Sequence, residues 1–367
     1  MKISSHFDGG SIEVVSTDNH KAVLKIRKDS HSDFLQWFYF QVHVVDQDTH
    51  EFEIINAGKT SYTDGWEGYN PCVSYDRETW YRVPGSYDGK TLKFEVLPDA
   101  SCFYVAYFAP YSYERHLDLI SSAQTSPVCG VIPVCSTVDG RDLSVLQVGE
   151  GEKVYWMTAR QHPGETMAEW FVEGFLERLL DEDDPVAQRL LKEVTFYIVP
   201  NMNPDGAARG NLRTNAAGAN LNREWLEPSI ENSPEVYYVR EMMHETGVDM
   251  YLDVHGDEAL PYNFVAGNEG NPSYDERLKK LEDQFKKILL SVGCEFQAKH
   301  GYDLDAPGTG DLSKATNYVG ETFGCLAYTL EMPFKDNADL PDPIQGWSPE
   351  RSKQLARDVL TTMGKLL

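Results

Sequence analysis

The chain has 367 residues, 41% of them hydrophobic and 12% aromatic, which is enough apolar material for two domains or for one large domain with additions. It carries 58 acidic and 33 basic residues, a formal net charge of −25. This charge argues against a nucleic-acid partner, because phosphate contacts need a basic face. The sequence contains no run of about 18 apolar residues, so we expect no membrane-spanning segment and no membrane partner.

The N-terminus and the cysteines favour a cytoplasmic location. The first residues, MKISSHFDGGSIEVV, lack the apolar stretch of a secretory signal. The six cysteines are scattered without a Cys-x-x-Cys pair and are interpreted as reduced core residues. We therefore expect a cytoplasmic protein.

Short strands dominate the first hundred or so residues. They are alternating or aromatic-rich, and Gly, Asp, Asn and Pro separate them. The predicted strands are residues 11–16, 21–27, 37–46, 51–57 and 91–98. This spacing predicts an all-β sandwich domain, which we place at residues 1–112.

Strands and helices alternate in the remaining chain, residues 113–367. A hairpin is predicted at residues 134–149, with Asp139-Gly140 as its tight turn. Further strands are predicted at residues 153–159, 194–200, 248–254 and 325–330, a loop at 203–225, and helices from about Thr166 and at 233–246, 274–292 and 348–367. This alternation predicts an α/β fold with a mixed, largely parallel sheet flanked by helices on both faces.

Polar side chains follow four of the predicted strands, where sites form in open α/β sheets. They are His162 with Glu165, Asn201, His255 and Glu331. Two imidazoles and one carboxylate are the ligand set of a hydrolytic zinc site that keeps a position open for water. His162, Glu165 and His255 can supply these ligands, which leaves Glu331 as the base that shuttles protons.

The four residues His-Pro-Gly-Glu combine two of these ligand candidates with two helix breakers. Pro163 and Gly164 forbid a helix across the segment, so His162 and Glu165 can converge through a tight bend. Glu165 then lies near the start of the following helix, where its charge suits the helix dipole.

The glycine-rich and asparagine-rich segment 203–225 offers three arginines after a strand that ends at the same edge. Arg209 is consistent with a solvated surface charge. Arg213 and Arg223 are candidates for binding a carboxylate or an oxyanion, because a guanidinium group suits both.

The motifs HPGET, NPDG, LNREW, DVHGD and YTLEMP, in this order, resemble the zinc metallocarboxypeptidases. The His-Pro-Gly-Glu form is typical of the cytosolic carboxypeptidase branch, here of bacterial type. The upstream segments WFYFQV, INAGKTSY, PCVSY, WYRV and FAPYSY are similar to the β-sandwich that precedes the catalytic domain in that branch. The resemblance covers nearly the whole chain.

The resemblance implies one Zn²⁺ per chain and the C-terminus of a peptide or protein as substrate. His162, Glu165 and His255 match the family's zinc ligands, and Glu331 matches its general acid/base. Arg213 matches the arginine that polarises the scissile carbonyl. The pair that grips the substrate's terminal carboxylate corresponds to Asn222 and Arg223.

Three positions depart from the family pattern or lack a secure match. Where relatives have Asp-Leu-Asn-Arg, this chain has Asn220, which would be a neutral partner for a zinc histidine. The mobile capping tyrosine of the family could be Tyr302 or Tyr318. Lys314 is the nearest candidate for a basic residue in the pocket of the terminal side chain, and glutamate or another acidic terminal residue is therefore one candidate specificity.

Two other functions are compatible with the sequence. A zinc amidase or deacylase acting on a small-molecule or cell-wall peptide amide would share the ligand pattern. A binding protein on the same scaffold is disfavoured by the intact ligand set and Glu331. The sequence does not specify the oligomeric state.

Overall fold

The computed structural model describes residues 1–367, and its first part is built from two β-sheets. The ten strands are β1 Lys2–Ser4, β2 Glu13–Thr17, β3 Lys21–Lys25, β4 Tyr39–His43, β5 His50–Ile54, β6 Cys72–Ser74, β7 Tyr81–Arg82, β8 Gly85–Tyr87, β9 Leu92–Val96 and β10 Cys102–Ala106. One sheet has the order β1-β4-β10-β6-β7 and the other β2-β3-β5-β9-β8. Strand β9 buries every second residue, as a strand with one face on a core must. The predicted all-β N-terminal region is confirmed.

A seven-stranded sheet forms the centre of the second part. Its strands are β11 Cys129–Ser136, β12 Asp142–Val148, β13 Lys153–Ala159, β14 Val194–Val199, β15 Met250–Asp257, β16 Phe264–Ala266 and β17 Leu326–Pro333. The order is β11-β12-β14-β13-β15-β17-β16. The pairs β14/β13, β13/β15 and β15/β17 are parallel, and the outer pairs are antiparallel. The predicted parallel sheet is thus its centre, and the predicted hairpin forms the antiparallel edge β11/β12.

Helices cover both faces of this sheet. They are α1 Tyr113–Ala123, α2 Met167–Leu179, α3 Pro185–Glu193, α4 Pro204–Arg209, α5 Pro234–Thr246, α6 Glu276–Val292, α7 Ala315–Phe323 and α8 Pro349–Leu366. On β13, Tyr155 and Met157 face the apolar core shared with α2, α6 and α8, whereas Trp156 faces the core shared with α5 and α7. The predicted α/β architecture is confirmed. No helix is both long and apolar enough to cross a membrane.

The prediction of a loop over residues 203–225 is wrong at two places. Helix α4 begins at Pro204, where the Asn203 side chain accepts a hydrogen bond from the N–H of Gly206 at 3.0 Å. It ends before Gly210, whose φ of 71° suits a glycine after a helix. A 3-10 turn forms at Leu221–Arg223. The prediction also omitted helices α1, α3 and α7, which have only 11, 9 and 9 residues.

The N-terminal sheets and the central sheet share one apolar core. The ring of Tyr107 stacks on that of Phe334 with centroids 4.6 Å apart. The guanidinium group of Arg82 donates to the carbonyl oxygen of Phe334 at 2.7 Å and to that of Trp347 at 3.3 Å. The boundary placed after residue 112 stays a prediction, but the two parts pack directly on one another.

Candidate active site

Two of the candidate residues are paired by the sheet itself. His255 on β15 and Glu331 on β17 are register partners, and register partners of a parallel pair project from the same face. The sequence predicts that both residues follow their strands. The strands extend beyond the predicted ends, so both residues lie within the last three positions of β15 and β17. Sheet register therefore places Glu331 beside a proposed metal ligand.

The His-Pro-Gly-Glu segment forms a turn between β13 and α2. The N–H of Glu165 bonds to the carbonyl of His162 at 3.1 Å, and Arg160 Nε donates to the carbonyl of Pro163 at 2.9 Å. A Cβ on Gly164 would lie 3.0 Å from the carbonyl oxygen of Leu212. A larger residue would therefore crowd the neighbouring segment, and the turn brings the side chains of His162 and Glu165 to one place.

The structure brings the three predicted zinc ligands together. Nδ1 of His162 lies 2.7 Å from one carboxylate oxygen of Glu165, and Nδ1 of His255 lies 2.7 Å from the other. The two Nδ1 atoms are 3.2 Å apart. Zinc–nitrogen bonds of about 2.0–2.1 Å place two tetrahedral ligand atoms roughly 3.3 Å apart, so the distance between the two nitrogens suits such an ion.

The outer ring nitrogens of both histidines have partners. Nε2 of His162 is 3.1 Å from Oδ1 of Asn220, and Nε2 of His255 is 2.7 Å from Oδ2 of Asp253. These partners fix the ring orientations and leave Nδ1 of each ring facing the centre. One histidine thus has a neutral partner and the other has a carboxylate.

The electrostatics favour a cation where these atoms converge. Burial and the positive charge of Arg213 lower the pKa of His162 to about 4, so its Nδ1 offers a lone pair. Burial opposes a charge on His255, but Asp253 and Glu165 outweigh it and hold its pKa well above the ordinary value. A metal ion would supply the positive charge that this centre stabilises, so the donor set fits zinc.

Glu331 is buried beside the cluster, with one oxygen unpartnered. Its Oε1 accepts a hydrogen bond from the hydroxyl of Tyr302 at 3.0 Å, and Oε2 has no partner in the protein. Burial raises the pKa of Glu331 well above its usual range, and the neighbouring carboxylates add to this. The hydroxyl oxygen of Tyr302 also lies 2.7 Å from Oδ2 of Asp257, so the two carboxylates share the single proton of Tyr302. A carboxylate with an oxygen left free next to a metal centre is suited to proton transfer.

Of the two candidate capping tyrosines, only Tyr302 lines the cleft. The hydroxyl of Tyr318 lies 3.0 Å from Nε2 of His244, and its ring packs on Trp225 with centroids 6.2 Å apart. Tyr318 therefore belongs to the packing of α5 and α7.

The remaining predicted residues line the same cleft of about 660 Å³. They are Arg213, Asn222, Arg223 and Lys314. The Asn222 side chain accepts a hydrogen bond from the N–H of Ala315 at 2.8 Å, which joins the arginine segment to α7. Arg223 is exposed as a whole residue, but its guanidinium group faces the cleft, where partial desolvation and the charge of Arg213 lower its pKa. Arg209 lies elsewhere and forms a two-bond ion pair with Asp139.

Sequence reasoning missed Asp253, Asp29 and Tyr62. Asp253 could have been found, because it lies two residues before His255 and therefore on the same face of a strand. Asp29 and Tyr62 carry no such signal, since both come from the distant N-terminal region: Asp29 bonds to the backbone of the Arg213 segment, and Tyr62 lines the cleft.

Two family models match the chain. Residues 3–108 match the cytosolic carboxypeptidase N-terminal domain, and residues 113–362 match the zinc carboxypeptidase family. The chain is 47% identical over 367 residues to an uncharacterized protein of Zymomonas mobilis, covering 100% of this chain and 97% of that relative. It is 27% identical over 332 residues to cytosolic carboxypeptidase 3 of Mus musculus, covering 80% of this chain. The chain spans 33% of the length of that mouse protein.

Two solved structures share the whole fold. One is a metallo-carboxypeptidase from Pseudomonas aeruginosa in complex with (2-guanidinoethylmercapto)succinic acid, with 49% identity, a TM-score of 0.98, and coverage of 100% of this chain and 99% of that one. The other is a metallo-carboxypeptidase from Burkholderia cenocepacia, with 46% identity, a TM-score of 0.98, and coverage of 100% and 98%.

These similarities confirm the family, the fold class and the zinc cofactor that the sequence motifs predict. The zinc carboxypeptidase match alone covers more than half of the chain. The N-terminal match identifies the branch, because it carries the cytosolic carboxypeptidase name. This chain therefore belongs to the zinc carboxypeptidase family and is a metallocarboxypeptidase, a hydrolase of C-terminal peptide bonds.

Proposed function

We propose that this enzyme removes the last residue of peptides or protein tails, with His162, Glu165 and His255 holding the single zinc ion. The observation that supports this most strongly is the convergence of two Nδ1 atoms and two carboxylate oxygens within 2.7–3.2 Å of their neighbours. Such a set of buried acceptors is satisfied by a cation and leaves positions open for water and substrate.

Glu331 is the proposed general base and acid. A zinc ion held by His162, Glu165 and His255 would supply the Lewis acidity that lowers the pKa of a water and polarises a carbonyl. In its ionised form Glu331 would take the proton from the attacking water through its unpartnered Oε2, and its raised pKa suits it to hold that proton until it is delivered to the leaving amine. The hydroxyl of Tyr302, 3.0 Å from Oε1, holds the carboxylate in place.

The arginines of the cleft are proposed to bind the negative charges of substrate and transition state. Arg213 makes no ion pair within the protein, and its guanidinium group can donate to the oxyanion that forms at the scissile carbonyl. Arg223 and Asn222 are proposed to hold the terminal carboxylate of the substrate. The carboxylic acid ligand of the Pseudomonas relative is consistent with such a subsite.

Lys314 is the proposed contact for an acidic terminal side chain. It is half-buried, lines the cleft, and forms no ion pair, whereas Lys286 in the same cleft lies 3.3 Å from Glu269. The net charge of −25 would repel acidic substrates at long range. Salt screens exposed charges beyond roughly 8 Å, so a local lysine can dominate binding. We also propose a cytoplasmic location, in keeping with the cytosolic carboxypeptidases among the relatives.

The assignment of the base is tested by comparing two buried glutamates of the same cleft, Glu331 and Glu258. Glu331→Gln should retain one zinc per chain and lose hydrolysis of a peptide with a free C-terminus, because the amide cannot take the proton. Glu258→Gln should retain both zinc and hydrolysis. Full activity of Glu331→Gln, measured at equal zinc content, would show that the base is another group.

A further inference from the structure

The segment that carries Arg213 is held by the N-terminal region. The carboxylate of Asp29 accepts hydrogen bonds from three consecutive N–H groups, those of Leu212 at 2.6 Å, Arg213 at 2.7 Å and Thr214 at 3.0 Å. Asp29 is 6% exposed, so these bonds are shielded from water. Hydrogen bonds to a buried carboxylate are among the stronger ones in proteins. Asp29 therefore fixes the backbone from which the Arg213 side chain projects.

The side chain of Arg213 is held by two aromatic rings from the same region. Its guanidinium carbon lies 5.5 Å from the centroid of the Phe34 ring and 5.5 Å from that of the Tyr62 ring. Aromatic faces attract a cation without using its N–H groups. No carboxylate lies within ion-pair distance, unlike at Arg209, which is paired with Asp139. The donors of Arg213 thus remain available to a ligand in the cleft.

The backbone of Tyr62 is held by the side chain of Gln36. Its N–H and its carbonyl both bond to the side-chain amide of Gln36, each at 3.0 Å. Gln36 is fully buried and also donates to the hydroxyl of Tyr107 at 3.2 Å. Tyr62 lines the catalytic cleft although it lies in the N-terminal region. These bonds to its backbone keep the ring of Tyr62 against the guanidinium group of Arg213.

From these contacts we infer that the N-terminal β region completes the active site, with Asp29 and the ring of Tyr62 acting as positioning residues for Arg213. This inference rests on the role proposed above for Arg213 as the donor to the oxyanion. The N-terminal region would then take part in the reaction, because Asp29 and Tyr62, which position the guanidinium group of Arg213, lie outside the region that binds zinc. An arginine displaced by about 1 Å would cost on the order of 10²-fold in rate.

Kinetics in two backgrounds test this inference. In the wild-type background, Asp29→Asn and Tyr62→Leu should each lower kcat by about 10-fold to 100-fold, with KM changed by less than about threefold. Arg213→Ala alone should lower kcat by about 10²-fold to 10³-fold. When Asp29→Asn or Tyr62→Leu is added to Arg213→Ala, kcat should fall no further, because the guanidinium group that Asp29 and Tyr62 position is already absent. Tyr62→Phe, which keeps the ring, should restore kcat to near the wild-type value.

Matched controls separate positioning from general stability. Asp88 accepts two N–H groups of an exposed turn and Tyr87 lies on β8, so Asp88→Asn and Tyr87→Leu repeat the chemical changes away from the cleft. Both should retain kcat, and all variants should retain one zinc per chain. Equal losses from Asp29→Asn with and without Arg213 would overturn the inference while leaving the role of Arg213 intact. Wild-type kcat in Arg213→Ala would overturn both.

Discussion

Glu282 on α6 is predicted to make the enzyme less stable as the pH rises. Its side chain is 2% exposed, Oε2 accepts a hydrogen bond from Tyr274 at 2.6 Å, and Oε1 has no partner. Burial and the nearby Glu269 raise the pKa of Glu282 from 4.5 to about 7. Between these two values the folded state holds a proton that the unfolded state has lost. Stability therefore falls as the pH rises through this window and stays lower above it.

The size of this effect follows from the pKa difference. About 2.5 pKa units at ~1.4 kcal/mol each correspond to about 3 kcal/mol of lost unfolding free energy above pH 7. Glu282→Gln is neutral at every pH and should remove this loss. At roughly 2.1 cal/mol/K of unfolding entropy per residue, 3 kcal/mol corresponds to a melting-temperature change of about 4 °C for a chain of this length.

Calorimetry of the zinc-loaded enzyme at pH 5 and pH 8 measures the effect. The melting temperature of Glu282→Gln relative to wild type should be about 3 °C higher at pH 8 than at pH 5, because a small part of the loss has already occurred at pH 5. The exposed Glu276 on the same helix provides a control, and Glu276→Gln should show no such difference between the two pH values. Identical pH dependence of Glu282→Gln and wild type would refute the reasoning.

Three further substitutions have distinct expected outcomes. Asn220→Asp should bind zinc about 10-fold to 100-fold more tightly in a chelator competition, because a carboxylate partner makes His162 more basic. Asp253→Asn should bind zinc more weakly by a similar factor, because His255 loses its carboxylate partner. Unchanged affinity in both variants would contradict the proposed ligand orientation. Lys314→Met should lower kcat/KM about 10-fold for a peptide ending in glutamate, because the proposed ion pair with the glutamate side chain is lost. For a peptide ending in alanine kcat/KM should not change. An equal loss for both peptides would remove the specificity role of Lys314.

Much of the candidate site could be predicted because it is built from strand ends. The buried residues of β13 and β14 form nearly continuous apolar runs, so the strand ends are visible in the sequence. His162 lies only three residues after the end of β13. The ends of parallel central strands meet at one edge, which is why His255 and Glu331 could be placed together. Proximity at a sheet edge is a consequence of topology and needs no side-chain detail.

Other parts could not be predicted because they depend on contacts between distant segments. Helix α4 has only six residues, too few for an apolar period to appear. The bonds from Asp29 to the Arg213 segment connect residues more than 180 positions apart. Choosing Tyr302 over Tyr318 required the hydroxyl distance to Glu331, since both residues follow α6 in the sequence. Tertiary packing decides such features, and local sequence does not record them.

Hydrolysis of one peptide as its free acid and as its C-terminal amide, with and without a zinc chelator, tests the central claim most directly. The free acid should be shortened by its last residue, because Arg223 and Asn222 are proposed to bind the terminal carboxylate, and the amide should not be cleaved. Chelation should stop the reaction, and added zinc should restore it. Equal cleavage of the amide and the free acid would contradict a carboxypeptidase and favour a zinc amidase.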